Sequence, residues 1–321
     1  MKGNGLKIAR IIVSLAVFFA VTLLWVCYGP AVARYMAWAT KIQIFPMAMA
    51  LSVTMAAFWV LVAWLFGRIY CSSVCPLGTW FDIVGAAGRR SRQGSLRDYH
   101  YSPALNRWRY GSLLVVLVCF IGEVTIVPAL IDPYSIYGQA VVNLLKPCWG
   151  YACNFMSRLG EMTGLWHFGQ VKIITAGVFY TALSGAILLS VSIPAWMYGR
   201  TYCNSICPIG TVLGMCSRQS LWHIDIDTDL CTNCRKCEHV CKASCINMDD
   251  HVVDGSRCVN CFDCLAVCPD DAIFYRMARK QLSLPMMQRV NPPGVNATAS
   301  CASAETTSYN QTKQNDNETI S

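Results

Sequence analysis

Charge is scarce in this chain: only 14% of its 321 residues are Asp, Glu, Lys or Arg, while 55% are hydrophobic. Soluble domains carry about 25% charged residues, so a fully water-facing fold is excluded for most of the chain. Histidine is scarcer still, with five copies, and only His167 lies near a long apolar run. A bis-histidine haem between membrane helices is therefore disfavoured. No C-x-x-C-H stretch occurs, so no haem attachment sequence is present. The lack of a Gly-rich nucleotide fingerprint argues against direct NADH oxidation.

What is present in excess is apolar length and cysteine. Four segments approach the roughly 20 residues that a helix rising 1.5 Å per residue needs to cross a bilayer: Ile11 to Cys27, Ile44 to Phe66, Tyr110 to Leu130 and Val171 to Ile193. With a cytoplasmic N-terminus, 21 of the 26 Lys and Arg fall on the inside, and the positive-inside rule is satisfied. The net charge of +8 is then a topology signal, and nucleic acid is not expected as a partner of the basic loop Arg89 to Arg109. The expected location is the cytoplasmic (inner) membrane, multi-pass, with both termini cytoplasmic. Lys2, Lys7 and Arg10 before an apolar run, with Ala31-Val32-Ala33 after it, also resemble a secretory leader; the run exceeds the usual 7 to 15 residues, which favours retention as a helix.

Two stretches 132 residues apart repeat one sentence: AWLFGRIYCSSVCPLGT (Ala63 to Thr79) and AWMYGRTYCNSICPIGT (Ala195 to Thr211). Each follows a pair of apolar segments, so an even number of crossings returns both copies to the cytoplasmic face. The two halves are then related by a pseudo-twofold axis along the membrane normal, a parallel repeat. Cysteines four apart share a helix face, and the Pro that follows suits the first turn of a new helix. Three readings of Cys71, Cys75, Cys203 and Cys207 stand side by side: a four-thiolate site for a further iron centre, redox-active thiol pairs, or small apolar packing groups.

Beyond the second copy the chain becomes polar and rich in cysteine. Cys231, Cys234, Cys237 and Cys241 are spaced C-x2-C-x2-C-x3-C, as are Cys258, Cys261, Cys264 and Cys268, the latter followed by Pro269. This is the two-cluster ferredoxin run, in which the fourth cysteine of each set serves the other cluster. Cluster one is expected on Cys231, Cys234, Cys237 and Cys268, cluster two on Cys258, Cys261, Cys264 and Cys241. Zinc sites use separated pairs rather than triplets with a displaced fourth, and a reducing cytosol disfavours disulfides. Two departures mark the first run: Lys242 stands where the second has Pro269, and Cys245 where it has Ala272; either is expected to change the hydrogen bonding and so the potential of the second cluster, with Cys245 as an alternative ligand to it.

The expected fold is mostly α. It comprises a four-helix transmembrane domain with its pseudo-twofold repeat (1–216), a small α+β ferredoxin-like domain (217–280) and a disordered tail (281–321). Cys301 and the Asn-x-Thr triplets of that tail carry no expected role. Glu123 in the third segment and Asp132 just beyond it are acids at membrane depth, where ionisable groups are costly; they are candidates to take protons from a quinol near the outer face, or else a pair partner and a loop cap. Cys148 and Cys153 fall in the presumed outer loop, where a disulfide is permitted, although C-x4-C within one helix would point the thiols apart.

Four apolar segments, two GR-x-YC-x3-CP-x-G copies and a double 4Fe-4S run together resemble the NapH and NosR type of membrane polyferredoxin over about Ile11 to Arg279. No large flavin-binding domain of the NosR kind precedes the helices, so the shorter NapH-like architecture fits better. The resemblance implies an electron-transfer subunit or quinol dehydrogenase component between the quinone pool and a protein redox partner. The alternative is a regulatory or metalloenzyme-maturation membrane ferredoxin without quinol dehydrogenase activity.

Overall fold

The computed structural model describes residues 2–27, 34–36, 38–44, 53–92, 98–124, 126–163, 171–173 and 175–277. The tail with Cys301, the Ala31-Val32-Ala33 site and His167 lie outside them.

Two described helices are long and apolar enough to cross a membrane: α1 (Lys2–Val26) and, after the first motif, one later helix, Val178–Tyr198. On α1 the apolar residues run all round, with Ile8, Ile12 and Phe19 exposed while Val17, Ala20 and Val21 are buried; a helix apolar on every side belongs in an apolar surround. The predicted segment Ile44 to Phe66 is not one helix in the described residues. Its described helical part is α2 (Val53–Phe66); the Trp59 indole donates to the Ile42 carbonyl at 2.9 Å, just before the segment, and the Tyr70 hydroxyl, just after it, donates to Gln43 Oε1 and accepts from Ile44 N.

The first motif forms a short helix α3 (Ile69–Ser73) and then α4 (Pro76–Ser91), with Pro76 at the first turn. The predicted segment Tyr110 to Leu130 is also broken. Helix α5 (Asn106–Ile121) ends at Gly122, Glu123 takes φ +56°, and α6 (Ile126–Ile131) resumes. The presumed outer loop is largely helix: α7 (Pro133–Ala140), a π-helical turn (Val141–Leu145) and α8 (Lys146–Thr163). Lys146, Arg158 and Glu161 interrupt its apolar pattern, which hides it from a hydropathy reading. Then come α9 (Val178–Tyr198), α10 (Thr201–Ser205) and α11 (Pro208–Ser217). Packing between the copies is reciprocal: α2 lies on α11 and α9 on α4, while α1 lies on α4 and α5 on α11.

The cysteine-rich segment holds β1 (His223–Ile226), α12 (Lys236–His239), β2 (Ile246–Asn247), β3 (Val252–Val253), α13 (Asp263–Val267) and β4 (Ile273–Arg276). Strand β1 pairs antiparallel with β4, His223 opposite Arg276, and β2 pairs with β3. Left-handed residues recur at matching places in its two halves, Asn233, Arg235 and Ser244 against Asn260, Phe262 and Asp271. The last carbonyls of a helix have no partner within it, and here this segment supplies them for α2. Leu221 N and Trp222 N donate to Trp64 O and Leu65 O, and the Tyr275 hydroxyl and Asn260 amide to Phe66 O.

Candidate iron–sulfur sites and the twin cysteine motif

Each copy of the motif is built to grip the other. Arg68 and Arg200 are fully buried, and each reaches across: Arg68 Nη2 donates to the Cys203 carbonyl at 2.9 Å, Arg200 Nη1 to the Cys71 carbonyl at 2.5 Å. A methyl group at Gly78 would lie 2.3 Å from the Cys71 oxygen, and one at Gly210 equally close to the Cys203 oxygen; only glycine admits this approach. Gly67 and Gly199 take φ +80° and +72°, turning the chain from apolar helix into motif. Cys75 and Cys207 stand at the N-caps of α4 and α11, and Gly210 N donates to the Cys207 sulfur at 3.3 Å.

A buried charge network surrounds this grip. Asp82 on α4 accepts from Arg200 Nε and Nη2 at 3.0 and 2.8 Å and from Arg10 of α1 at 2.8 Å, with Lys242 Nζ 3.5 Å away. Lys242 also pairs with Asp263 at 2.9 Å, as does Lys7, and its carbonyl accepts from Arg200 N. Burial alone would raise the Asp82 carboxyl; Arg200, Lys242 and Arg10 outweigh it and hold the group well below the usual carboxylate range. The departure from proline at Lys242 thus has a structural cause: the side chain ties the cysteine-rich segment to both motif copies.

The four repeat thiols are all buried, and burial followed by mutual repulsion with Cys203 and Cys71 pushes Cys75 and Cys207 well above an ordinary thiol. Cys203 is pushed up to about 11, chiefly by burial. Among the described residues, no group of three or more His, Cys, Asp or Glu is placed to hold a single metal ion.

Cys231, Cys234, Cys237 and Cys268 line one small cavity, closed by Ile226, Met248 and Ile273. Cys241, Cys258, Cys261 and Cys264 line a second, closed by Ile224, Ile246, Val253 and Val259. A cubane takes one thiolate on each of four irons, so its ligands surround a space rather than a point. Two cysteine-walled cavities fit that demand, each lined by three cysteines of one run and one of the other. Burial raises Cys237 and Cys261 to about 12, and a metal bound there would displace those protons. Cys245 also lines the second cavity, 3.5 Å from the Cys241 sulfur. Its thiol and nearby backbone N–H groups pull Cys241 down to about 7 against burial.

The remaining candidates do not gather there. Glu123 sits in an exposed turn. Asp132 is 1% exposed and caps α7, accepting from Ser135 N at 2.8 Å. The carbonyl before it, Ile131 O, accepts from the Tyr202 hydroxyl, so Asp132 lies against the second motif copy. Cys148 and Cys153 are both free, on the one helix α8. The grip of Arg68 and Arg200 was not read from the sequence; the identical spacing of GR to CP-x-G in both copies was its only trace.

A family model described as a 4Fe-4S binding domain matches twice, over residues 48–93 and 179–224. Each match holds one copy of the twin motif. Among curated relatives, the ferredoxin-type protein NapH of Haemophilus influenzae is 27% identical over 69% of this chain and 67% of its own. NapH of Escherichia coli is 25% identical over 64% of this chain and 60% of its own. The chain is thus similar to ferredoxin-type proteins of the NapH kind. The putative electron transport protein YccM of Escherichia coli is 23% identical over 70% of this chain, which spans 55% of that relative's length. No solved structure matches.

Proposed function

We propose that this chain is a membrane-bound iron–sulfur electron-transfer protein, passing electrons between the quinone pool and a protein redox partner. The observation that carries this is the pair of cysteine-walled cavities in a segment that caps the end of an apolar helix. Cys231, Cys234, Cys237 and Cys268 would hold one 4Fe-4S cluster, and Cys258, Cys261, Cys264 and Cys241 the other. A 4Fe-4S cluster held by each set would supply a one-electron carrier. The chain's own part is to exclude water with Ile224, Ile226, Ile246 and Ile273, which wall the two sites.

In this proposal α1, α2, α5 and α9 are the four crossings, in two halves related by a pseudo-twofold axis, with both termini cytoplasmic. The reciprocal grip of Arg68 and Arg200 supports it. Two clusters are proposed in the cysteine-rich segment, and the Arg and Gly of the twin motif are assigned to packing between the copies. Names carried by the NapH and YccM relatives, ferredoxin-type and electron transport, agree with this role.

The purified protein should contain about eight irons, unchanged by Cys71→Ser, and a menaquinol or ubiquinol analogue should generate reduced-cluster EPR signals. Reduction by a protein donor but by neither quinol would replace this reading with the regulatory or maturation role.

A further inference from the structure

One turn occurs twice in the cysteine-rich segment, with a thiol in the first copy where the second has a methyl group. In the first run Ser244 takes φ +49°, its N–H donates to the Cys241 carbonyl at 2.9 Å, and Asp254 N donates to the Cys245 carbonyl at 2.8 Å. In the second run Asp271 takes φ +48°, and Asp227 N donates to the Ala272 carbonyl at 2.8 Å. Cys245 N donates to the Cys241 sulfur, as Ala272 N does at 3.3 Å to the Cys268 sulfur. Cys245 and Ala272 are thus one position on one backbone, each 1% exposed. What distinguishes them is the thiol.

That thiol is the fifth in the second cavity, and a cubane takes four. Its sulfur lies 3.5 Å from that of Cys241 and within hydrogen-bond reach of Cys258, so it stands between two of the proposed ligands. Cys241 accepts from the N–H groups of Ala243, Cys245 and Ile246, a setting that favours a thiolate. Those donors mark Cys241 as the ligand and leave Cys245 with its proton, free to donate. The second cavity is also the more enclosed. Cys241, Cys258 and Cys264 are buried, whereas Cys234 of the first set is exposed and Cys231 and Cys268 are half-buried. Reduction adds negative charge, which a buried site disfavours. The second site therefore has the greater need of a donor.

We propose that Cys245 does not ligate the second 4Fe-4S cluster but donates its S–H to the ligand sulfur of Cys241, and so raises the reduction potential of that cluster. The inference rests on the electron-transfer reading above. Cys245 keeps its proton throughout: no bond to it forms or breaks, and the donated hydrogen bond strengthens when the Cys241 sulfur gains negative charge. Lys242 acts in the same direction, its charge reaching Cys261. Hydrogen bonds to the sulfurs and nearby charge are both determinants of cluster potential. With Ala272 at the matching place, the first set has no such side-chain donor there. Cys245 thus offsets what burial takes from the second site.

The test uses the full-length, cluster-loaded protein in detergent and follows its two one-electron steps by EPR-monitored redox titration. Cys245→Ala should keep about eight irons and move one of the two steps to lower potential. At a fixed potential its ratio of reduced to oxidised cluster should fall about tenfold, about 59 mV for one electron, while the other step stays. Cys245→Ser, whose hydroxyl still donates, should recover most of the shift. In the wild type, infrared difference spectra on reduction should show an S–H stretch moving to lower frequency, and Cys245→Ser should lack it. No such band in the wild type, with irons lost from Cys245→Ala, would make Cys245 a ligand. No such band with both steps unmoved would make it a packing residue. Either result overturns the inference and leaves the electron-transfer reading standing. A wild-type protein that holds no pair of 4Fe-4S clusters would overturn both.

Discussion

At the scale of single residues, Asp82 concentrates the most consequence. It is one carboxylate, its side chain 14% exposed, facing Arg10, Arg200 and Lys242 from three different parts of the chain. Removing one partner of a buried ion pair strands the others in a poor solvent and costs about 3–5 kcal/mol. Asp82→Asn should therefore lower the melting temperature in detergent markedly, whereas Ile83→Ala beside it, on a 45% exposed side chain, should not. The pH dependence follows from the depressed carboxyl. A group whose folded pKa lies below its unfolded value contributes fully above the unfolded value, about 3.9. The gap between wild type and Asp82→Asn should stay constant from neutral pH down to about pH 4. It should narrow only below that, as protonation of Asp82 begins to favour the unfolded chain. A gap that already closes near pH 6 would contradict the network.

At the scale of elements, the twin motif is a strand-free clamp whose glycines are spaces for another residue's carbonyl. Gly78→Ala and Gly210→Ala would each drive a methyl to 2.3 Å from a cysteine carbonyl that also accepts a buried arginine. Overpacking of this kind costs about 1–3 kcal/mol. The control is Gly185→Ala on α9, where nothing lies within 4 Å; there alanine should be neutral or stabilising by up to about 1 kcal/mol. Thermal melts of the three variants decide it. These elements also show what a linear reading can reach. Helix α1 and helix α9 were legible because their apolar runs are long and unbroken. The interruption at Gly122–Glu123 was not, since one turn inside an apolar run barely changes mean hydropathy. Nor was the helix from Pro133 to Thr163, whose Lys146, Arg158 and Glu161 make it read as a loop. The two C-x2-C-x2-C-x3-C runs were legible because the spacing of three neighbouring thiols is set by local covalent reach. The path of Arg68 and Arg200 was hidden, because it depends on which copy faces which.

At the scale of the whole molecule, the cysteine-rich segment and the helical part form one linked system. The cysteine-rich segment has strands of only two to four residues, too little regular structure to stand on backbone pairing alone. Yet its residues Leu221, Trp222, Asn260 and Tyr275 satisfy the end of α2, and its Lys242 and Asp263 anchor Arg200, Asp82 and Lys7. Eight thiols walled into two apolar cavities have their protons to lose and their repulsion to relieve when iron binds, so binding energy becomes folding energy. Removing iron with a chelator under reducing conditions should then lower the stability of the helical part as well as of the ferredoxin segment. Far-UV circular dichroism of the loaded and stripped protein tests this, with proteolysis following the junction after Ser217. A stripped protein whose helices melt at the temperature of the loaded one, while only the segment beyond Ser217 is cleaved, would show two independent units. A single cooperative melt at lower temperature, with cleavage on both sides of the junction, is the outcome that the shared hydrogen bonds and ion pairs require.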